Sequence, residues 1–153
     1  MSAFYRIDPA AVALAAPSDK PAVFAELGRL YASAYGLSAD AVVEGLEERE
    51  QLGSTGFGRG VALPHARSAA VQRPLAAMLK LAEPIDFAAA DGMPVDIVVG
   101  LVSPVDAGAT HLHALAALSR ALRDEAVHDA LADARDAAML HAVMSESSAK
   151  DAA

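Results

Sequence analysis

Apolar positions recur along this chain with different periods, and the changes of period divide it into helical and extended blocks. Phe24, Leu27, Tyr31 and Ala34 fall three or four residues apart, which gathers them on one side of a helix. Ser18 or Asp19 supplies the N-cap, Pro21 suits the first turn, and Gly36 ends the segment. A second helix follows at once. Ser38 is its N-cap, Val42, Val43 and Leu46 form its inner side, and Glu44, Glu47, Glu48 and Glu50 form an outer side expected to face solvent. The period then shortens. Leu75 to Leu81 alternates, with Leu75, Ala77, Leu79 and Leu81 on one face, and Glu83-Pro84 is expected to end that strand. Val95 to Val102, VDIVVGLV, is almost continuously apolar, as a central strand covered on both faces should be, and Pro104 closes it. Helical spacing returns at Thr110–Leu122, about Asp124–Ala132 and about Arg135–Met144. Residues 1 to 17 fit either a helix or an edge strand. Helix, helix, strands, helices predicts one α/β domain over residues 1–146, a mixed β-sheet flanked by helices on both faces, with a polar tail at 147–153 expected to fray.

Composition narrows the class. The 153 residues are 54% hydrophobic, carried largely by alanine with few aromatics, which favours closely packed helices over a sandwich of large side chains. The absence of cysteine removes disulfides, thiolate nucleophiles and thiolate-bound zinc. A net charge of -8 leaves no basic stripe to displace counterions from a nucleic acid, so protein or small-molecule partners are expected instead. The N-terminal apolar stretch, about ten residues, is too short to span a bilayer and has no basic leader. A soluble cytoplasmic protein without direct membrane insertion is the expectation.

The chemistry concentrates in Gly53–Ser68, GSTGFGRGVALPHARS. Gly53, Gly56, Gly58 and Gly60 let the backbone approach a ligand closely, so a loop curling around one is expected. The order matches neither G-x-G-x-x-G nor a Walker loop, which excludes nucleotide cradling. Val61-Ala62-Leu63 follows as a short strand. Pro64 cannot donate to a ladder, so pairing is expected to stop there and release His65 from the sheet. Arg59 and Arg67 flank that histidine, and Arg49 closes the preceding helix, where it either complements the helix C-terminus or turns toward His65.

The helix beginning THLHALAALSRAL carries two further imidazoles. At about 100° per residue, His111 lies within about 20° of Leu118 and Leu122, whereas His113 is rotated by roughly 200°. His111 is therefore expected to face inward and His113 outward, a divergence that argues against a shared metal. The first helical turn favours an anion and disfavours an imidazolium, so His65 and His111 could meet around a small anion. His128 and His141 are read as surface or boundary residues without hydroxyl or charged partners at helical spacing. No G-x-S-x-G elbow is present.

Three segments, GSTGFGRGVALPHAR, EPIDFAAADGMPVDIVVGLVSP and THLHALAALSRAL, agree in order and spacing with one family. From about Arg49 to the last helix the chain resembles the enzyme IIA domains of the phosphoenolpyruvate-dependent phosphotransferase system, mannitol/fructose fold type. The resemblance implies a phosphocarrier without cofactor or metal, in which His65 accepts a phosphoryl group from a small phosphohistidine carrier protein and His111 hydrogen-bonds it. It implies Arg49 as the cationic partner, with Gly56, Gly58 and Arg67 at the phosphoryl-binding segment. GST, THLH and the stand-alone chain are similar to the nitrogen-regulatory branch, which acts on target proteins. Ala66 departs from that branch's usual PHG and also occurs in fructose-type domains, which pass phosphate to a IIB protein. A third reading is an interaction module that no longer transfers phosphate.

Overall fold

The computed structural model describes the backbone of residues 4–152 and the side chains of residues 4–148. In chain order its elements are β1 (Arg6–Ala15), α1 (Lys20–Tyr35), α2 (Ala39–Gln51), β2 (Gly56–Gly58), β3 (Val61–Ala62) and β4 (His65–Ser68). They continue as β5 (Leu75–Ile85), β6 (Val95–Pro104), α3 (Ala109–Arg123), α4 (Glu125–Asp133) and α5 (Ala137–Ala152). One mixed sheet runs in the order β1-β5-β6-β3-β2, and β4 also pairs with β6. β5 is antiparallel to β6, β1 is parallel to β5, and β3 and β4 both run parallel to β6.

The nearly continuous apolar run of β6 places it inside the sheet with both faces covered. Val98 and Val102 join Phe24, Leu27, Tyr31, Val42 and Leu46 from α1 and α2. Ile97, Val99 and Leu101 join Leu118, Leu122, Leu131, Leu140 and Met144 from α3 to α5. A fully buried side chain of this kind contributes about 1.5–3 kcal/mol, whereas an exposed ion pair contributes at most about 1 kcal/mol. The layers are therefore held by these residues, not by surface pairs such as Arg29–Glu26.

Several sequence expectations resolve here. The ambiguous N-terminal run is strand β1 at the sheet edge, with its register irregularity between Ile7 and Val12, where Pro9 has no N–H to give the ladder. Asp19, not Ser18, caps α1 by accepting from the Ala22 N–H, and Gly36 ends it in the left-handed region at φ 71°. β5 does not stop at Glu83-Pro84: an irregularity between Lys80 and Ile85 absorbs the proline and pairing resumes at Ile85 with Val95. Lys80 also leaves the sheet sideways, its ammonium donating to the carbonyls of Leu131, Ala132 and Ala134 at the C-terminal end of α4. Helix α5 runs on to Ala152, where a polar tail from residue 147 was expected.

The glycine-rich segment is a hairpin and not an open loop. Gly58 pairs with Val61, and the two residues between them, Arg59 and Gly60, have φ of 59° and 80°, the pattern of a type I′ turn. Gly56 lies against the 86–92 segment, where a Cβ would come within 2.8 Å of the Ala89 Cβ and 3.0 Å of its Cα. Gly56→Ala should destabilise the protein by about 1–3 kcal/mol, because backbone must move to admit the methyl. Urea denaturation checks this, and an unchanged midpoint would mean that the 86–92 segment is not packed as described.

Candidate functional site

Strand pairing with β6 lapses over Leu63 and Pro64 and does not end there. The Pro64 carbonyl still accepts from the Leu101 N–H at 3.0 Å, and β4 starts at the next residue with His65 in register with Leu101. His65 is thus half-buried within the sheet, and the expectation that pairing would stop and release it is corrected. Side chains alternate along β4. Ala66 packs with the α1 and α2 layer, close enough to α2 that a Cβ on Gly45 would lie 3.2 Å from its methyl. His65 and Arg67 consequently share the opposite face, toward α3.

Helix α3 follows Gly108, whose φ of 55° turns the chain back over that face. His111, in the first turn, is only 5% exposed, while His113 is exposed, as the helical rotation predicts. The His65 and His111 rings converge, with centroids 5.7 Å apart and planes inclined at 50°. His65 Nδ1 lies 2.9 Å from the Leu63 carbonyl. A carbonyl only accepts, so the ring hydrogen sits on Nδ1 and Nε2 keeps its lone pair. His111 Nδ1 lies 2.6 Å from the hydroxyl of Ser103, which is fully buried in β6.

A cavity of about 390 Å³ contains both histidines with Arg49, Arg67 and Leu52. A second, of about 350 Å³, reaches His65 from the side of Arg49, Thr55, Phe57 and Leu115. Arg49 lines both, and its Nη1 donates to the Gly53 carbonyl at 3.0 Å, so the helix-end role and the approach to His65 coexist. Arg59 lies elsewhere, its guanidinium 3.4 Å from the Arg123 carbonyl and 3.8 Å from Glu125. Gly56 and Gly58 line neither cavity. Gly58 faces Asp91, whose carboxylate would be 3.2 Å from a Cβ placed there, so both glycines admit the neighbouring segment to the hairpin.

Both imidazoles are disposed to stay neutral. Burial lowers the His65 pKa most; the Leu63 carbonyl opposes this, Arg49 adds to it, and Glu50 opposes it. His111 is lowered to about 4, first by burial and then by Arg67 and His65. The arrangement offers a small anion two guanidiniums, and it offers an electrophile an unprotonated nitrogen.

Glu50 was expected on a solvated face, but its side chain is 6% exposed. One carboxylate oxygen accepts from the Thr55 N–H at 2.9 Å, the other from the Thr55 hydroxyl at 2.6 Å, and Lys20 pairs with it at 2.7 Å. This ties the end of α2 to the start of the hairpin that leads into His65. Two further hydroxyl contacts were also missed. Ser103 has a sequence signal, a lone hydroxyl in an apolar strand, and Ser145 lies 3.4 Å from His141 Nδ1, which corrects the reading of His141 as lacking a hydroxyl partner. His141 and His128 also reach the carbonyls of Ile7 and Arg59.

The sheet and its two helical layers belong to a known architecture. The fold superposes on the crystal structure of IIA mannitol from Escherichia coli with a TM-score of 0.74 at 19% identity, over 90% of this chain and 98% of that one. It also superposes on nitrogen regulatory protein IIA-Ntr from Neisseria meningitidis, with a TM-score of 0.82 at 33% identity, over 90% and 94%. Residues 7–147 match the phosphoenolpyruvate-dependent sugar phosphotransferase system EIIA 2 family, and the chain is a member of that family. Among relatives, a nitrogen regulatory protein of Bradyrhizobium diazoefficiens is 40% identical over 127 residues, 83% of each chain. A fructose-specific EIIA component of Haloferax volcanii is 38% identical over 107 residues, 70% of each chain.

Two outcomes test the site as a structure. Glu50→Ala leaves the Thr55 N–H and hydroxyl unpaired and should cost about 1–3 kcal/mol, with faster amide exchange at Thr55 than elsewhere in the sheet. The depressed pKa of His111 means that the unfolded chain binds a proton near pH 6.5 that the folded chain refuses until about pH 4. That contribution to stability is complete above about pH 6.5 and is lost as pH falls toward about 4, so melting temperature should drop across this interval. His111→Gln should flatten the slope; parallel profiles for the two proteins would show that His111 titrates normally.

Proposed function

We propose that this protein is a cytoplasmic histidine phosphocarrier that accepts a phosphoryl group on His65 and acts on partner proteins through its phosphorylation state. The observation that carries this reading is the histidine pair, with the His65 Nδ1–H engaged by the Leu63 carbonyl and both rings lining one cavity with Arg49 and Arg67. The donor is the phosphohistidine of a small carrier protein. The Nε2 lone pair of His65 attacks phosphorus as the donor's N–P bond breaks, and that electron pair returns to the donor ring. The ring hydrogen stays on Nδ1, donated to the Leu63 carbonyl, so no base is required. The positive charge left on the product ring faces the negative phosphoryl oxygens. Arg49, Arg67 and His111 bind those oxygens in line, which is where catalysis of phosphoryl transfer resides. Gly56 and Gly58 serve the site indirectly, by letting the hairpin pack.

The regulatory output is favoured by the nitrogen regulatory relatives, including one from Pseudomonas aeruginosa that is 42% identical over 106 residues, 69% of each chain. Phosphorylation would add negative charge beside Leu52, which lines the same cavity and is 83% exposed, and so alter how a protein docks there. A second reading, delivery of phosphate to a IIB protein, draws on the fructose-specific relative and on Ala66. Neither reading needs a cofactor or a metal. The grouping of both histidines and both arginines around one cavity weighs against an interaction module that has lost transfer.

Incubation with phosphoenolpyruvate, the general enzyme of the system and its small carrier should label the protein once, in acid-labile form. His65→Ala should abolish the label, and His111→Ala should fold normally and accept it about 10²-fold more slowly. An acid-stable label, or labelling that survives His65→Ala, would overturn the assignment. Transfer onward to a sugar-specific IIB protein would replace the regulatory reading with the second one.

A further inference from the structure

Ser103 is the hydroxyl of β6, fully buried and 2.6 Å from His111 Nδ1. A serine hydroxyl can donate or accept in such a pair, and the choice fixes which nitrogen of His111 carries the ring hydrogen. We infer that Ser103 donates to His111 Nδ1, locking His111 in the tautomer with its hydrogen on Nε2, and so is a positioning residue for phosphoryl transfer to His65. The inference rests on the phosphocarrier reading.

The neighbouring groups decide the direction. His65 spends its hydrogen on the Leu63 carbonyl and turns a bare Nε2 toward chemistry. Were His111 to place its own hydrogen on Nδ1, toward Ser103, its Nε2 would be a second bare nitrogen. A phosphoryl oxygen, itself an acceptor, would then meet a lone pair. With Ser103 as donor, His111 Nε2–H can bind that oxygen, and the neutral state imposed by burial, Arg67 and His65 allows only one ring hydrogen. The ladder sets the placement. Ser103 is in register with Arg67, as Leu101 is with His65, so β4 and β6 present these four residues as adjacent pairs beneath α3. Ser103 therefore shapes the site from below without meeting the incoming carrier.

The test uses the full chain with ¹⁵N-labelled histidine. In the parent, His111 should show a proton-bearing Nε2 and an accepting Nδ1. In Ser103→Ala the two nitrogen shifts should move toward each other as the tautomers mix. Transfer onto His65 at saturating carrier should slow roughly tenfold, while the half-saturating carrier concentration stays unchanged. Ser103→Thr, which keeps the hydroxyl, should restore both the tautomer and the rate. A parent His111 protonated on Nδ1 overturns the proposal whether or not the variants fold. So does a Ser103→Ala protein with unaltered His111 shifts or an unaltered rate. If the parent shows the expected tautomer but takes no label on His65, the phosphocarrier reading fails, and with it the positioning role, while the Ser103 hydrogen bond stands.

Discussion

The parallel ladder between β4 and β6 is the constraint from which the site follows. It fixes His65 opposite Leu101 and Arg67 opposite Ser103, and strand alternation then sends both β4 side chains toward α3. A slip of one residue would turn Ala66 toward α3 and drive the imidazole into the α2 layer. The apolar side chains of β6 prevent that slip, since Val98 and Val102 serve one core and Ile97, Val99 and Leu101 the other. The burial that stabilises the domain and the register that aims the histidine are one property of the same strand.

Electrostatics around the pair runs against the charge of the chain. The protein carries a net charge of -8, yet the cavity that holds both imidazoles has Arg49 and Arg67 on its walls. Burial and these guanidiniums both disfavour protonation, so the rings remain neutral where a surface histidine would be partly charged. A neutral ring with one hydrogen has a direction. Leu63 sets that direction for His65 and Ser103 sets it for His111. The positive charge for an anion comes from arginine, leaving the imidazoles free for bonding.

Much of this was legible in the chain because the signals were periodic or covalent. The β6 run, the alternation of β5, the caps at Asp19 and Ser38 and the inward turn of His111 all rest on spacing, which survives folding. What could not be read depends on long-range partners. Pro64 looks like a stop because its missing N–H is local, but its carbonyl finds Leu101 from a distant strand. The glycines resemble a ligand loop because their freedom is visible and the 86–92 segment they pack against is not. Glu50 lies in a run of acidic residues, and only tertiary contact with Lys20 and Thr55 sets it apart.

Lys80 shows how the scaffold is kept separate from the chemistry. Its ammonium gathers three carbonyls of the α4 terminus, while Lys20 is engaged by Glu50 and the Phe87 carbonyl. Both lysine amines with described side chains thus act as internal rivets, and the cations that line the histidine cavity are guanidiniums. A change confined to amines, such as acetylation, would accordingly loosen the outer helices and the hairpin anchor while leaving the cationic lining of the histidine cavity chemically intact.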